Sequence, residues 1–536
     1  MLAAFHKIGA FPLLIINNRI ESAITINSDE TTETCILALK YYKYILLLGL
    51  NSKMNNWLSK IPNRYWAYIS LMLWGALSFM LLHKTSYGID EGAAHALLLV
   101  WSVSDNVVSP VVTMGLPDFR TIFLVPAGIL WTGNVLAAKV TTLLVMSVAA
   151  WSIHAWRHHK GDAESALIAT GLLLVSPLVL NQIDTISVAT YLLISFALGA
   201  WSDFIYRESK QAFGGLYFAQ IFLCLVCITL HPIGLAYPLA LLWAWHKTPL
   251  DPKHRNYFFT GVTVAALMAL ALTSGWSHVE WFANPIRSLS SLLLGPAEGD
   301  AFGAFHWICG VGMLFLLLLV IWKQARNLWA DFLGRILLLS LMIGILVGDN
   351  SFAVIALVCC LYWGLPLLLR KPTISDDSFW KQRGWALVVA VIISTTFMAI
   401  DRANYQSLFS GNLSPRDSLI KIFAEDSGLF LNDEPGQEVS AKKPTRVASQ
   451  WPGLTMLACR CDALPLPPIA PNSEALFTML RGIDYLIFDP RDPVNFSLSR
   501  NLATMEAGKV ETLDLQQGGV IIQIKKSAPA ISEKKS

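Results

Sequence analysis

From residue 65 to residue 400 the chain repeats one pattern: an apolar run, a short polar break, and another apolar run. Many of the runs are about 18–22 residues long, enough for a helix to cross the roughly 30 Å hydrocarbon core of a bilayer. Backbone groups in lipid have no water to bond, so lipid-crossing runs of this kind must satisfy themselves as helices. The chain is therefore expected to be a polytopic α-helical membrane protein. Composition agrees: only 14% of the 536 residues are charged and 54% are hydrophobic, where a soluble protein carries roughly 25% charged residues. The net charge of +3 gives no argument for nucleic-acid binding, because the Lys and Arg residues sit mainly in short loops, where they encode orientation.

About eleven spans are expected, near 65–83, 134–155, 163–181, 185–204, 213–231, 233–246, 257–275, 303–322, 331–348, 351–369 and 385–400. Lys53, Lys60 and Arg64 precede the first; Arg157 and Lys160 follow the second; Arg207 and Lys210 follow the fourth. Lys247, Lys253 and Arg255 follow the sixth, Lys323 and Arg326 the eighth, and Arg370, Lys371, Lys381 and Arg383 the tenth. Every second loop is basic, so the chain is expected in the cytoplasmic (inner) membrane with its N-terminus in the cytoplasm and the tail beyond Ile400 on the extracytoplasmic, periplasmic side.

Outside that repeat, residues 1–53 read as an atypical N-terminal extension, with Met54 a candidate start for a membrane domain of 54–400. Its first outer loop, 84–133, is long and semi-apolar: "GAAHALLLVWSV" reads as an interfacial helix and "TIFLVPAGILW" as a second, broken at Pro126. Another outer loop, 276–302, carries "WFANPIRSLSSLLLG". The tail, 401–526, changes to short strands ("DYLIFDP", "GGVIIQIKK") and a helix with Ser473 as its N-cap, the marks of a small extracytoplasmic α/β domain. Residues 527–536 read as a disordered end. Most of the eight cysteines lie in apolar runs as packing residues, and the Cys459–Cys461 spacing is too short to suggest a relaxed disulfide. "NLS" at 412–414 and "NFS" at 495–497 match an acceptor sequon that also occurs by chance.

Placed on this topology, Asp90, Glu91, Asp118, Arg120, Lys139, Asp184, His231, Glu280, Arg287, Asp300 and Asp349 all fall near the outer face. A transport path would put charges at the midplane, where each costs about 2.5–3.5 kcal/mol on insertion scales. Charge gathered at one rim favours chemistry at the membrane surface. Each residue also has a plainer reading. Asp90 caps the next helix, and Glu91 with His95 forms a helix pair or the edge of a metal site. Lys139 snorkels to the surface, and His231 is a buried histidine before a proline turn. No wider cluster indicates a metal cofactor.

The stretch "GIDEGAAHALLLVWSVSDNVVSPVVTMGLPDF" resembles the first outer loop of GT-C-type glycosyltransferases, which include protein O-mannosyltransferases and the aminoarabinose transferases of lipid A. Their mark is an acidic residue, often in an Asp-Glu pair, just after the first span. "LVPAGILWTGNVLAAKV" and "ALIATGLLLVSPLVLNQIDTISVATYLLISF" resemble the helices that follow. "ITLHPIGLAYPLAL" is similar to a Lys-Gly-Pro pattern but has Leu230 and His231 at its head, and "GLPDFRT" stands where a basic proline-rich stretch is common.

The resemblance implies a GT-C-like bundle that takes a sugar from a polyprenyl phosphate to a lipid, glycan or protein acceptor. Asp90 would be the base for the acceptor hydroxyl, Glu91 a supporting or acceptor-orienting acid, and Asp118 a second acid. Arg120, Lys139, His231 and Arg287 would be partners of the departing phosphate. The departures from the family's cations keep a rival open: a transporter or envelope-assembly scaffold built on the same bundle.

Overall fold

The computed structural model of the chain describes residues 74–76, 79, 82, 89–105, 119–161, 163–209, 215–247, 252–272, 276, 281–294, 303–369, 415–426, 446–459, 461–505, 509–513 and 519–525. All of them belong to one compact unit, 71–373 with 413–536; a second unit comprises 1–70 and 374–412. The extension 1–53, the span at 385–400, the end 527–536, the sequon at 412–414 and Asp118 lie outside the described residues, as does the span at 65–83 apart from isolated positions.

The membrane part runs α1 (Glu91–Asp105), α2 (Arg120–Leu130), α3 (Val135–His159), α4 (Ala163–Val175), α5 (Pro177–Asp184), α6 (Val188–Ser209) and α7 (Gly215–Leu230). A 3₁₀ turn, Pro232–Leu235, leads into α8 (Ala236–His246), followed by α9 (Pro252–Leu272), α10 (Pro285–Leu294), α11 (Ala304–Ala330) and α12 (Phe332–Val347). Then come α13 (Asn350–Cys359), a π turn at Cys360–Gly364, and α14 (Leu365–Leu369). Helix occupies each span expected between 134 and 369, with the third split at Ser176–Pro177 into the bent pair α4–α5. Among the described residues, four helices are long and apolar enough to cross a bilayer, or five if the bent pair is one span. This is an integral membrane protein.

Local chemistry sets the ends of these helices. Asn134 caps α3 by accepting from the Ala137 amide, while Arg157, His158 and His159 fill its last turn, where cations suit the helix dipole. Asp331 and Asp349 cap α12 and α13. α2 runs unbroken through Pro126, contrary to the expected break. Proline removes one amide from the helix, and the turns on either side hold the short helix together. α6 is largely buried, whereas α11 turns Phe305, Ile308, Phe315 and Trp322 outward, as a lipid-facing helix does.

The two ends of the bundle differ chemically. At one end Arg157 lies 4.8 Å from the Trp363 ring centroid, Lys247 5.5 Å from Trp243 and Lys323 5.2 Å from Trp322. Trp156 donates to Asp331 at 2.9 Å. This belt of Trp and basic residues is what a membrane–water interface selects. Asp90, Arg120, Lys139, Asp184, His231 and Asp349 sit at the opposite helix ends.

The tail contributes α15 (Pro415–Asp426), β1 (Arg446–Ser449), α16 (Pro452–Cys459), β2 (Asp462–Pro465), α17 (Ser473–Met479), β3 (Tyr485–Phe488), α18 (Phe496–Ala503), β4 (Val510–Leu513) and β5 (Val520–Ile524). The sheet order is β2-β1-β3-β5-β4, with β1 parallel to β2 and β3, and β5 antiparallel to β3 and β4. Side chains alternate between faces along each strand. Val447, Ile487 and Ile521 pack with Leu419, Phe423 and Cys459 on one face; Ala448, Leu486, Phe488 and Ile522 pack with Leu476, Leu480 and Leu502 on the other.

Two sequence expectations are corrected in the tail, and one chance motif is accounted for. Asn472, not Ser473, caps α17, its side chain accepting from the Ala475 amide at 2.8 Å. Cys459 and Cys461 form a disulfide, the helix end at Cys459 bringing their Cα atoms to 5.2 Å, within bonding reach. Asn495 is buried and donates to Gln450 and to the Asp489 carbonyl, each at 2.9 Å, so "NFS" offers no accessible glycosylation site in the folded chain.

Candidate active site

The site is built on the N-terminus of α1. Asp90 caps it: Oδ1 accepts from the Ala93 amide at 2.6 Å, satisfying one of the donors a helix start leaves open. The same carboxylate meets Arg120 at the start of α2, whose Nη1 lies 2.9 Å from Oδ1 and 2.8 Å from Oδ2. Helix cap and ion-pair partner are thus one residue. The two sides of the pair differ in exposure: the Arg120 side chain is 5% exposed and that of Asp90 45%. The cation is fixed in the protein while the carboxylate still faces outward.

Arg120 is held from behind as well, donating to the Ile186 carbonyl at 3.1 Å. Ile186 is buried and has φ +55°, a conformation a β-branched residue rarely adopts. It lies in the turn between α5 and α6, two residues after Asp184. Lys139, in the second turn of α3, is fully buried with Nζ 3.2 Å from Asp184 Oδ1. It does not snorkel: its ammonium is buried beside Asp184. The turn 184–187 therefore ties Lys139–Asp184 to Arg120–Asp90.

Glu91 turns away from Asp90. Its two oxygens accept from the Gly453 amide at 2.5 Å and the Leu454 amide at 3.1 Å, and His95 Nε2 lies 3.0 Å from Oε1. The helix pair expected between Glu91 and His95 is present. Among the described residues no group of three or more His, Cys, Asp or Glu is arranged to hold a metal ion.

A second polar group lies where α7 turns back and α12 ends. His231 caps the 3₁₀ turn, Nδ1 accepting from the Ile233 amide at 3.3 Å, and its Nε2 sits 2.8 Å from Asp349 Oδ2. Burial pushes the Asp349 carboxyl up, but the His231 imidazole and the Phe352 and Ser351 amides together hold it below the usual carboxylate range. Arg287 stands exposed on the first turn of α10. That helix is fastened beside Asp349, Ser288 Oγ donating to the Gly348 carbonyl and Phe282 N to the Leu346 carbonyl at 2.6 Å. α10 also touches α5, which carries Asp184.

The sequence placed Asp184 and Asp349 on the rim but gave neither a partner. Their signal was a lone acid at a helix end facing a basic residue elsewhere in the chain, and only the fold supplies the pairing.

ArnT from Cupriavidus metallidurans, bound to undecaprenyl phosphate, superposes with a TM-score of 0.53 at 10% identity, over 85% of this chain and 97% of that one. Its apo structure gives 0.51 at 10% identity, over 86% and 98%. The chain has the ArnT fold. The GT-C resemblance carried by the first outer loop thus holds at the level of fold, along nearly the whole length of ArnT. The Archaeoglobus fulgidus oligosaccharyltransferase in its apo form also matches, with a TM-score of 0.44 at 13% identity over 79% of this chain and 70% of that one. No family model matches the chain. No curated protein matches it either.

Proposed function

We propose that this chain is an integral membrane glycosyltransferase that moves a sugar from a polyprenyl-phosphate donor to an acceptor hydroxyl on the extracytoplasmic face. The observation that carries the reading is the Asp90–Arg120 pair, a half-exposed carboxylate beside a buried guanidinium. Transfer needs one group of each kind. Asp90 takes the proton from the acceptor hydroxyl as its oxygen bonds to C1 of the sugar. The bond from C1 to the phosphate oxygen breaks, the electron pair leaves with the polyprenyl phosphate, and Arg120 offsets the growing negative charge. His231 and Arg287, on the same end of the bundle, are the further phosphate partners of this reading, and Asp118 its second acid. Lys139 acts through Asp184 and the 184–187 turn rather than on the phosphate.

Two further observations support it. An ArnT of the same fold binds undecaprenyl phosphate. The tail carries the Cys459–Cys461 disulfide while Cys224, Cys227, Cys309, Cys359 and Cys360 of the bundle are free, which fits an oxidising compartment outside the cytoplasm.

The test compares membrane glycolipids and glycoproteins by mass spectrometry in cells with the gene, without it, and with Asp90→Asn. A gene-dependent glycan that is absent from the Asp90→Asn cells, at normal protein level, is expected. The same glycan at wild-type level in that variant would refute the role of Asp90. No gene-dependent glycan in any strain would favour a transporter or scaffold.

A further inference from the structure

Asp90 is flanked by two contacts to the tail, one on each neighbouring residue. On the N-terminal side, Arg416 of α15 donates Nη2 to the Ile89 carbonyl at 3.4 Å, and Ile89 is fully buried. On the C-terminal side, Glu91 accepts from the first free amides of α16, at Gly453 and Leu454. A carboxylate at a helix N-terminus meets both unpaired donors and the positive end of the dipole, so this is a charge-assisted contact. The Glu91 side chain is only 12% exposed, so water competes weakly for it.

Gly453 is what lets the helices close to this distance. A Cβ there would lie 2.9 Å from Glu91 Oε1 and 3.2 Å from both Ala94 Cβ and His95 Cδ2. The contact joins residues more than 360 positions apart in the chain.

We infer that the tail is a positioning element for Asp90, with Glu91 the residue through which α16 grips the start of α1. The inference rests on the function proposed above and adds to it a role for the C-terminal domain. Both Glu91 oxygens are engaged with the tail, so Glu91 positions the base and takes no part in the chemistry itself. Asp90 gains a backbone fixed on both sides. That matters because a misplacement of about 1 Å in a reacting group costs on the order of a hundredfold in rate.

The test uses the full chain in nanodiscs and reads amide hydrogen exchange at Ala93 and Ala94, the two amides that Asp90 accepts from through Oδ1 and its carbonyl. Gly453→Val and Arg416→Ala alter only the tail side. Both are expected to speed exchange at Ala93 and Ala94. Both are expected to leave binding of undecaprenyl phosphate, read by native mass spectrometry, unchanged. Gly453→Val is expected to slow accumulation of the gene-dependent glycan by about a hundredfold, and Glu91→Gln, which keeps one acceptor oxygen, to slow it less than Glu91→Ala. Arg416→Ala adds no atoms, so it carries the test if the valine variant fails to accumulate.

Unchanged exchange at Ala93 and Ala94 in the tail variants overturns the inference. Faster exchange with glycan formed at the wild-type rate overturns it too. If the wild type itself makes no gene-dependent glycan, the proposed function falls, and the exchange measurement still decides whether the tail holds the start of α1.

Discussion

Arg120 meets Asp90 through a single nitrogen: Nη1 lies within 2.9 Å of both carboxylate oxygens and 3.1 Å from the Ile186 carbonyl. One buried guanidinium thus joins the start of α1 to the turn that opens α6. The pair is asymmetric because only Asp90 keeps access to solvent.

That asymmetry predicts an unequal cost for removing each partner. Arg120→Ala leaves Asp90 free to hydrate but strands the buried Ile186 carbonyl. A lost hydrogen bond to a charged group costs about 1.5–3 kcal/mol, and the exposure of Asp90 puts this variant toward the lower end. Arg120→Lys keeps the charge but puts it on a compact, strongly hydrated ammonium at the end of a flexible stem, so it should recover most of the stability and less of the transfer. Thermal unfolding in detergent, with glycan mass spectrometry on the same variants, checks both outcomes.

The Lys139–Asp184 pair should be far less forgiving. Asp184 is 7% exposed and Lys139 fully buried, so Lys139→Ala removes a buried ammonium from beside a carboxylate with little route to water. Breaking such a pair from one side costs about 3–5 kcal/mol, whereas replacing both members with apolar residues is often neutral or stabilising. Lys139→Ala is expected to unfold well below Arg120→Ala in temperature. Lys139→Met with Asp184→Leu should regain most of the loss. A double variant no more stable than Lys139→Ala would show that the pair does more than balance charge.

The bundle and the position of Asp90 were legible in the sequence because each follows from a local rule. Run length gives the helix, and an acid before "GAAHALLLV" gives a helix cap. Pairings were not legible, because Arg120 with Asp90, Lys139 with Asp184 and His231 with Asp349 each join residues at least 30 positions apart. Glu91 shows the limit most clearly. It was read as a supporting or acceptor-orienting acid paired with His95, and that pair is present, but its other partners are the backbone amides of Gly453 and Leu454, which leave no side-chain signature to find. The disulfide was misjudged for the opposite reason: spacing alone argued against it, while the end of α16 turns the two cysteines together.

The disulfide makes a prediction of its own. Tail protein prepared without reductant should yield a Cys459–Cys461 peptide two hydrogens lighter than its reduced form, and maleimide should label it only after reduction. A loop this short constrains the unfolded chain little, so Cys461→Ser should cost no more than roughly 1–2 kcal/mol. A fully reduced peptide from freshly isolated membranes would argue against an oxidising compartment for the tail.

Gly348 gives the sharpest prediction about the second polar group. It ends α12 at φ +65°, where glycine carries no side-chain penalty and an L-residue pays about 1 kcal/mol or more. Space is tight as well: a Cβ there would lie 2.6 Å from the Ala283 carbonyl oxygen and 3.0 Å from Pro285 N, both backbone atoms that cannot swing aside. The Gly348 carbonyl also accepts from Ser288, so any shift moves α10 and Arg287 with it, next to the Asp349 that faces His231. Gly348→Ala is therefore expected to cost at least about 2 kcal/mol, the sum of conformational strain and forced displacement. It should also open residues 281–294 to limited proteolysis before the rest of the bundle unfolds. Ser288→Ala removes only the hydrogen bond and should loosen the same segment less. If Gly348→Ala matches the wild type in both measurements, the close approach of α10 to the end of α12 is not what holds this part of the site.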